Sequence, residues 1–241
     1  MGNQLDCFCF QALVSLNNTG AILIQRNRFE EAYLTFMDAL HVLEHGRSLV
    51  TDDDRAAFRS SLYAMVACAT MRFGSTNQQP PANVLGHGLA STIQGPVGGG
   101  LCTEQGRTAD LRVLNQESIY LNHQCLHACD VHIDLAAAVV VYNFAVCHLK
   151  MAIFNPSEQD YFQTSGISLM KYAYAVLPPI PPFTAVDDFS SIATMSVITL
   201  SLLVEVGTLN DEESCCFREQ LRLAQEGLSI FAAQPRTAPA A

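Results

Sequence analysis

His123, Cys125, His127, Cys129 and His132 crowd potential metal ligands into one short stretch of this chain. If the stretch is extended, alternate residues place His123, Cys125, His127 and Cys129 on one face. If it is helical, His123 and His127 lie one turn apart, and so do Cys125 and Cys129. Either geometry offers imidazole nitrogen and thiolate sulfur to a zinc ion. The order matches no established ligand spacing, however, and ligands this dense leave no defined set of outer partners to orient them. The plainer reading is an amphipathic junction leading into a helix that begins near residue 133. A metal-binding protein is the alternative, and no cofactor is expected.

Other chemistry finds little support. There is no G-x-x-x-x-G-K-[ST] and no G-x-S-x-G, and the glycine run 98–100 lacks a following lysine and helix. Serines and histidines show no triad-like spacing. The chain therefore reads as a non-enzyme, with an enzyme of unrecognised site kept as a further alternative. Lys and Arg number 13 against 23 Asp and Glu, a net charge of −10 with no basic cluster. Phosphate neutralisation needs Lys and Arg, so nucleic acid is a poor partner, and so is an anionic membrane surface.

Nine cysteines are an odd number without a disulfide framework. Cys68 and Cys147 fall inside helical apolar patterns, and Cys215 and Cys216 are adjacent. Thiols used as small buried groups suit a reducing compartment, so a cytoplasmic protein is expected. Met1-Gly2 opens like an acylation site, but the sixth residue is Asp6 where Ser or Thr is wanted. Cys7 and Cys9, beside Phe8 and Phe10, read as packing groups of a first helix, with lipidation the alternative. No secretory signal is expected. The mostly apolar runs 135–142 and 197–204 are too short for a bilayer, which takes about 20 residues.

These residues must be carried on helices. Leu13, Leu16, Gly20 and Leu23 recur at helical spacing within a helix expected over 5–25, and Arg26-Asn27-Arg28 interrupts it. Ala32, Phe36, Ala39 and Leu43 stripe a second helix over 29–43, closed by His45-Gly46. A third, over 52–73, carries Leu62, Met65, Val66, Ala69 and Phe73. Residues 75–110 are rich in Gly and Pro and read as a long flexible loop, with a short strand or strand pair before residue 122. Further helices are expected over 133–153, 159–177, 187–207 and 211–232, the second stopped by Pro178-Pro179.

Residues 13–46 resemble a tetratricopeptide repeat, a helix–turn–helix unit of roughly 34 residues. Leu16, Gly20 and Leu23 match its first helix, and Ala32, Phe36 and Ala39 its second. Thr19 departs from the apolar residue expected before the glycine. Val141, Phe144, Ala145 and His148, then Gly166, Met170 and Ala173, form a degenerate second match over 138–177, with a connection longer than the repeat allows. A third pair, with Ser201, Leu221 and Ala224, is weaker.

The resemblance implies an all-α fold of stacked antiparallel hairpins, a short solenoid whose first helices line a concave groove. It implies a protein–protein interaction scaffold that binds a peptide or partner helix there. The groove would hold Val14, Asn17, Asn18, Ala21, Ile24 and Gln25 from the first hairpin. The second would add Val139, Tyr142, Asn143, Val146 and Leu149. Asn18 and Asn143 resemble groove asparagines that bond a ligand backbone; the other reading is a helix asparagine bonding a neighbouring loop. A clamp for acidic chain ends is not expected, because no Lys or Arg occurs between Leu5 and Gln25. The organisation is then 1–74, a hairpin plus a third helix; 75–122, a loop insertion; 123–233, two more hairpins of the same domain; and 234–241, a frayed tail. The partner is a protein or peptide, and self-association is compatible with the same surfaces.

Overall fold

The polar turn at Arg26-Asn27-Arg28 ends the first helix by a specific device. Asn27 has φ 58, the left-handed region in which asparagine is enriched. Arg28 N–H donates to Leu23 O at 2.9 Å and Asn27 N–H to Ile24 O at 3.0 Å. These are the paired bonds of a Schellman stop, and they satisfy carbonyls that a helix end otherwise leaves orphaned. The next helix starts at once, with Ala32 N–H donating to Arg28 O at 3.0 Å.

In this computed structural model, the structure describes residues 7–46, 52–73, 84–85, 118–121, 130–177, 186–206 and 211–233. Among them are seven α-helices and one 2-stranded sheet. Helices α1 (Cys7–Gln25), α2 (Phe29–Gly46) and α3 (Asp52–Phe73) come first. Strand β1 (Val84–Leu85) pairs in parallel with β2 (Tyr120–Leu121). Then follow α4 (Asp130–Phe154), a 3-10 turn at Pro156–Glu158 and α5 (Gln159–Val176). Helices α6 (Val186–Val206) and α7 (Asp211–Ala233) close the order. The described residues are all-α apart from the small sheet. Most of the expected loop lies outside the described residues, but Val84–Leu85 within it form a paired strand, a correction to a wholly irregular 75–110.

The helices pack in sequential pairs, α1 on α2, α4 on α5 and α6 on α7. The helix that follows the first pair is not the one that joins it to the second. Helix α3 packs on α1, tied to α2 by an Arg72–Asp38 ion pair at 2.8 Å, whereas α4 packs on both α1 and α2. Lys171 and Glu213, 2.9 Å apart, link α5 to α7.

The core runs through α1, α2 and α4. A Cβ placed on Gly20 would lie 2.6 Å from Phe36 Cζ, so the phenyl ring rests directly on the glycine. Phe36 reaches on to Phe144 of α4, with ring centroids 6.1 Å apart. Phe144, Tyr33, His148 and Phe162 continue this aromatic seam between the pairs. Gly166 repeats the small-against-large contact, with Leu149 Cγ 2.8 Å from where its Cβ would stand.

The apolar run at 135–142 belongs to a longer stretch than its length suggested. Ile133–Phe154 is long and apolar enough to cross a membrane, but most of it is buried inside the protein. A helix apolar on all sides needs burial, and here the neighbouring helices supply it.

Cys147 is buried as expected, and so is Cys9; Cys68, Cys215 and Cys216 are exposed. Cys68 thus departs from the expected burial. The buried side of α3 is marked by Leu62 and Ala69, and residue 68 stands about 100° around the helix from 69. Burial pushes the Cys147 thiol up to about 12, and its S–H donates to Phe29 O at 3.4 Å. Thiolate is the reactive form. Iodoacetamide on native protein is therefore expected to modify Cys68, Cys215 and Cys216 while Cys147 reacts only on unfolding. Labelling of Cys147 in the native protein as fast as Cys215 would show that the α2–α4 seam is open.

Candidate functional site

Asparagine is a poor choice for a buried helix position unless its amide finds partners, because an unsatisfied amide is costly. Asn17 on α1 and Asn143 on α4 are both fully buried, at 0% exposure, and Asn18 is half-buried. Their partners are one another and the backbone of residues 118–121.

Asn143 Oδ1 accepts from Ile119 N–H at 2.9 Å, and its Nδ2 donates to Ile119 O at 2.7 Å. The side-chain amide therefore meets both main-chain groups of Ile119, as a neighbouring strand would. Asn18 does the same for Leu121: its Oδ1 accepts from Leu121 N–H at 2.8 Å and its Nδ2 donates to Leu121 O at 2.9 Å. Asn17 joins the two. Its Nδ2 donates to Ile119 O at 3.1 Å and to Asn18 Oδ1 at 3.2 Å, and its Oδ1 accepts from Asn143 Nδ2 at 2.9 Å. Reversing any one amide would set donor against donor, so the network fixes all three orientations.

Strand geometry explains the alternation. Successive residues of an extended chain present N–H and C=O to opposite edges. Ile119 and Leu121 face the asparagines, while β1 pairs along the other edge, Val84 with Tyr120 and Leu85 with Leu121. Ser118, Ile119, Tyr120 and Leu121 are all buried, Tyr120 completely. The site is a slot between α1 and α4 filled by an extended segment of the same chain.

The residues expected to line an open groove are thus mostly covered. Val14, Ala21, Ile24, Val139, Tyr142, Val146 and Leu149 are buried, and Gln25, at the end of α1, is exposed. The asparagines bond backbone, but within their own chain. Residues 118–121 are what sequence reasoning missed as part of the site. The signal was there in the β-prone Ile-Tyr-Leu and in buried-face asparagines without a visible partner.

Residues 123–129 of the His/Cys cluster lie outside the described residues, and among the described residues no group of His, Cys, Asp and Glu could hold a metal ion. A recess of about 200 Å³ lies between α1 and α3, lined by Phe8, Ala12, Arg59, Leu62, Tyr63 and Val66 among others. The Arg59 guanidinium sits 4.4 Å from the Phe8 ring centre.

His148 lies beyond Asn143 on α4, buried against Phe144, Tyr33 and Phe162. Burial lowers its pKa, partly offset by its Nδ1–H bond to Phe144 O at 2.9 Å. The unfolded chain therefore takes up this proton at higher pH than the folded one. The neutral ring's contribution is complete above about pH 6.5 and is lost as pH falls through that value toward the lower folded pKa. Melting temperature is expected to drop between pH 7 and 5, and to drop less in His148→Phe. Equal pH dependence in the two proteins would contradict this.

No protein-family model matches this chain, and neither a curated protein nor a solved structure matches it.

Proposed function

We propose that this chain is a protein-interaction scaffold of tetratricopeptide-like hairpins whose slot between α1 and α4 takes an extended peptide by its backbone. The observation that carries this reading is the double pairing of Asn143 with Ile119 and of Asn18 with Leu121. Amides from two helix pairs satisfy both main-chain groups of alternate residues. Such recognition has the chemistry of strand addition: main-chain bonds give affinity, and side-chain recesses give specificity. The ring of Phe36 on Gly20, repeated by Leu149 on Gly166, supports the repeat-like close approach of helices. Packing of α4 on the first pair and of α6 on α5 supports a short stack. Exposed thiols at Cys68, Cys215 and Cys216 suit a reducing cytoplasmic setting.

A variant with Ile119→Pro and Leu121→Pro removes both main-chain N–H donors that the asparagines hold and empties the slot. It is expected to keep its helical circular dichroism and to bind a blocked, labelled peptide of the sequence 116–123 saturably. Adding Asn18→Ala should weaken that binding about tenfold, as loss of two part-buried hydrogen bonds to the peptide implies. A folded variant that ignores the peptide would defeat the reading.

A further inference from the structure

The segment 118–121 fills the slot by bonds that any extended chain could make. The hydrogen bonds of Asn143, Asn17 and Asn18 to the segment all go to its main chain, and none of them involves a charge. Its far edge is held by a strand of 2 residues, Val84–Leu85. The aromatic seam that joins α2 to α4 through Phe36 and Phe144 does not include it. Ile119 and Leu121 do pack into the same hydrophobic core as α1, α2 and α4, so an incoming segment must replace apolar contacts as well as main-chain bonds.

The fit is also imperfect at one atom. Ser118 is 2% exposed, and its Oγ is buried with no hydrogen-bond partner among the described residues. A desolvated hydroxyl without a partner weakens the segment that carries it. A segment with alanine there would lose nothing and avoid that cost.

We propose that residues 118–121 are a replaceable internal occupant, and that a partner protein's extended segment exchanges with it. This rests on the reading of the slot as a peptide site and adds its regulation and ligand class. The incoming segment is uncharged, with a small apolar residue, an aliphatic, an aromatic and an aliphatic in place of Ser118, Ile119, Tyr120 and Leu121. A tethered occupant competes at an effective concentration on the order of millimolar, so the partner's segment must match the slot better or bind beyond it.

Hydrogen exchange on the intact chain tests this. The amides of Ile119 and Leu121 are expected to exchange faster than those of central α4. Excess blocked peptide of the sequence 116–123 should speed their exchange about tenfold or more, leaving α4 unchanged. The same peptide with Ser118→Ala should do so at about one-tenth the concentration. A peptide N-methylated at the positions of Ile119 and Leu121 should have no effect.

If the strand amides exchange only together with α4, or no peptide changes them, the occupant is integral core and the proposal fails. Should the emptied variant bind peptide while the intact chain does not respond, the slot remains a peptide site and only replaceability falls. Exchange that depends on protein concentration and accompanies a dimer would overturn the proposal in favour of a second copy of this chain.

Discussion

Asn143→Ala is expected to cost about 3 kcal/mol of stability, more than most single changes on this molecule. The truncation removes both amide groups from a fully buried position. Ile119 N–H loses its Asn143 acceptor, and Asn17 Oδ1 loses its Asn143 donor. Ile119 O keeps one bond, from Asn17 at 3.1 Å. Each buried group left without a partner costs about 1–3 kcal/mol, and the vacated volume adds to it. Asn18→Ala should cost less, about 1 kcal/mol, because Asn18 is half-buried and solvent can reach the groups it leaves. Urea unfolding of the three proteins measures the difference. Similar midpoints for Asn143→Ala and the parent would mean that the amide network is not formed in solution.

Gly20→Leu is expected to destabilise the chain by about 2–3 kcal/mol, the upper range for overpacking a tight contact. The Cβ alone would stand 2.6 Å from Phe36 Cζ and 2.8 Å from its Cε1. Phe36 is fully buried and lies against Phe144 on its other side, so it has little room to yield. A coupled change separates this clash from a loss of backbone freedom. Phe36→Leu in the Gly20→Ala background should cost less than the sum of the two single changes. Strict additivity by thermal unfolding would place the two residues apart. At Gly166 the obstructing atoms are Leu149 Cγ and Cδ2 and the backbone oxygen of Ala145 at 3.3 Å; the Leu149 side chain can adjust but the carbonyl cannot, so Gly166→Ala should be destabilising too.

Helix positions were legible because the period of apolar residues and the stops were strong. Leu13, Leu16, Gly20 and Leu23 lie on one buried face of α1, and the Arg26-Asn27-Arg28 break is the observed turn. The small–large partnership of Gly20 and Phe36 was legible too, because close helix approach demands a residue without a side chain. Burial of Cys68 was misjudged: a single residue's offset from the apolar stripe turns a thiol outward. The short sheet was only faintly legible, since strands of 2 residues carry almost no period.

Residue types alone set the all-α character, the close contact at Gly20 and the presence of asparagines on the inner faces of α1 and α4. Amphipathic spacing and backbone sterics act within a few residues, so one chain suffices to read them. What those asparagines hold was decided by the tertiary structure alone. Ile119 lies 102 residues from Asn17 along the chain, and no local rule links them. Their meeting depends on α4 packing beside α1 and α2, and on an extended segment entering the slot between. A buried amide states that it needs partners, but only the packed chain determines which backbone supplies them.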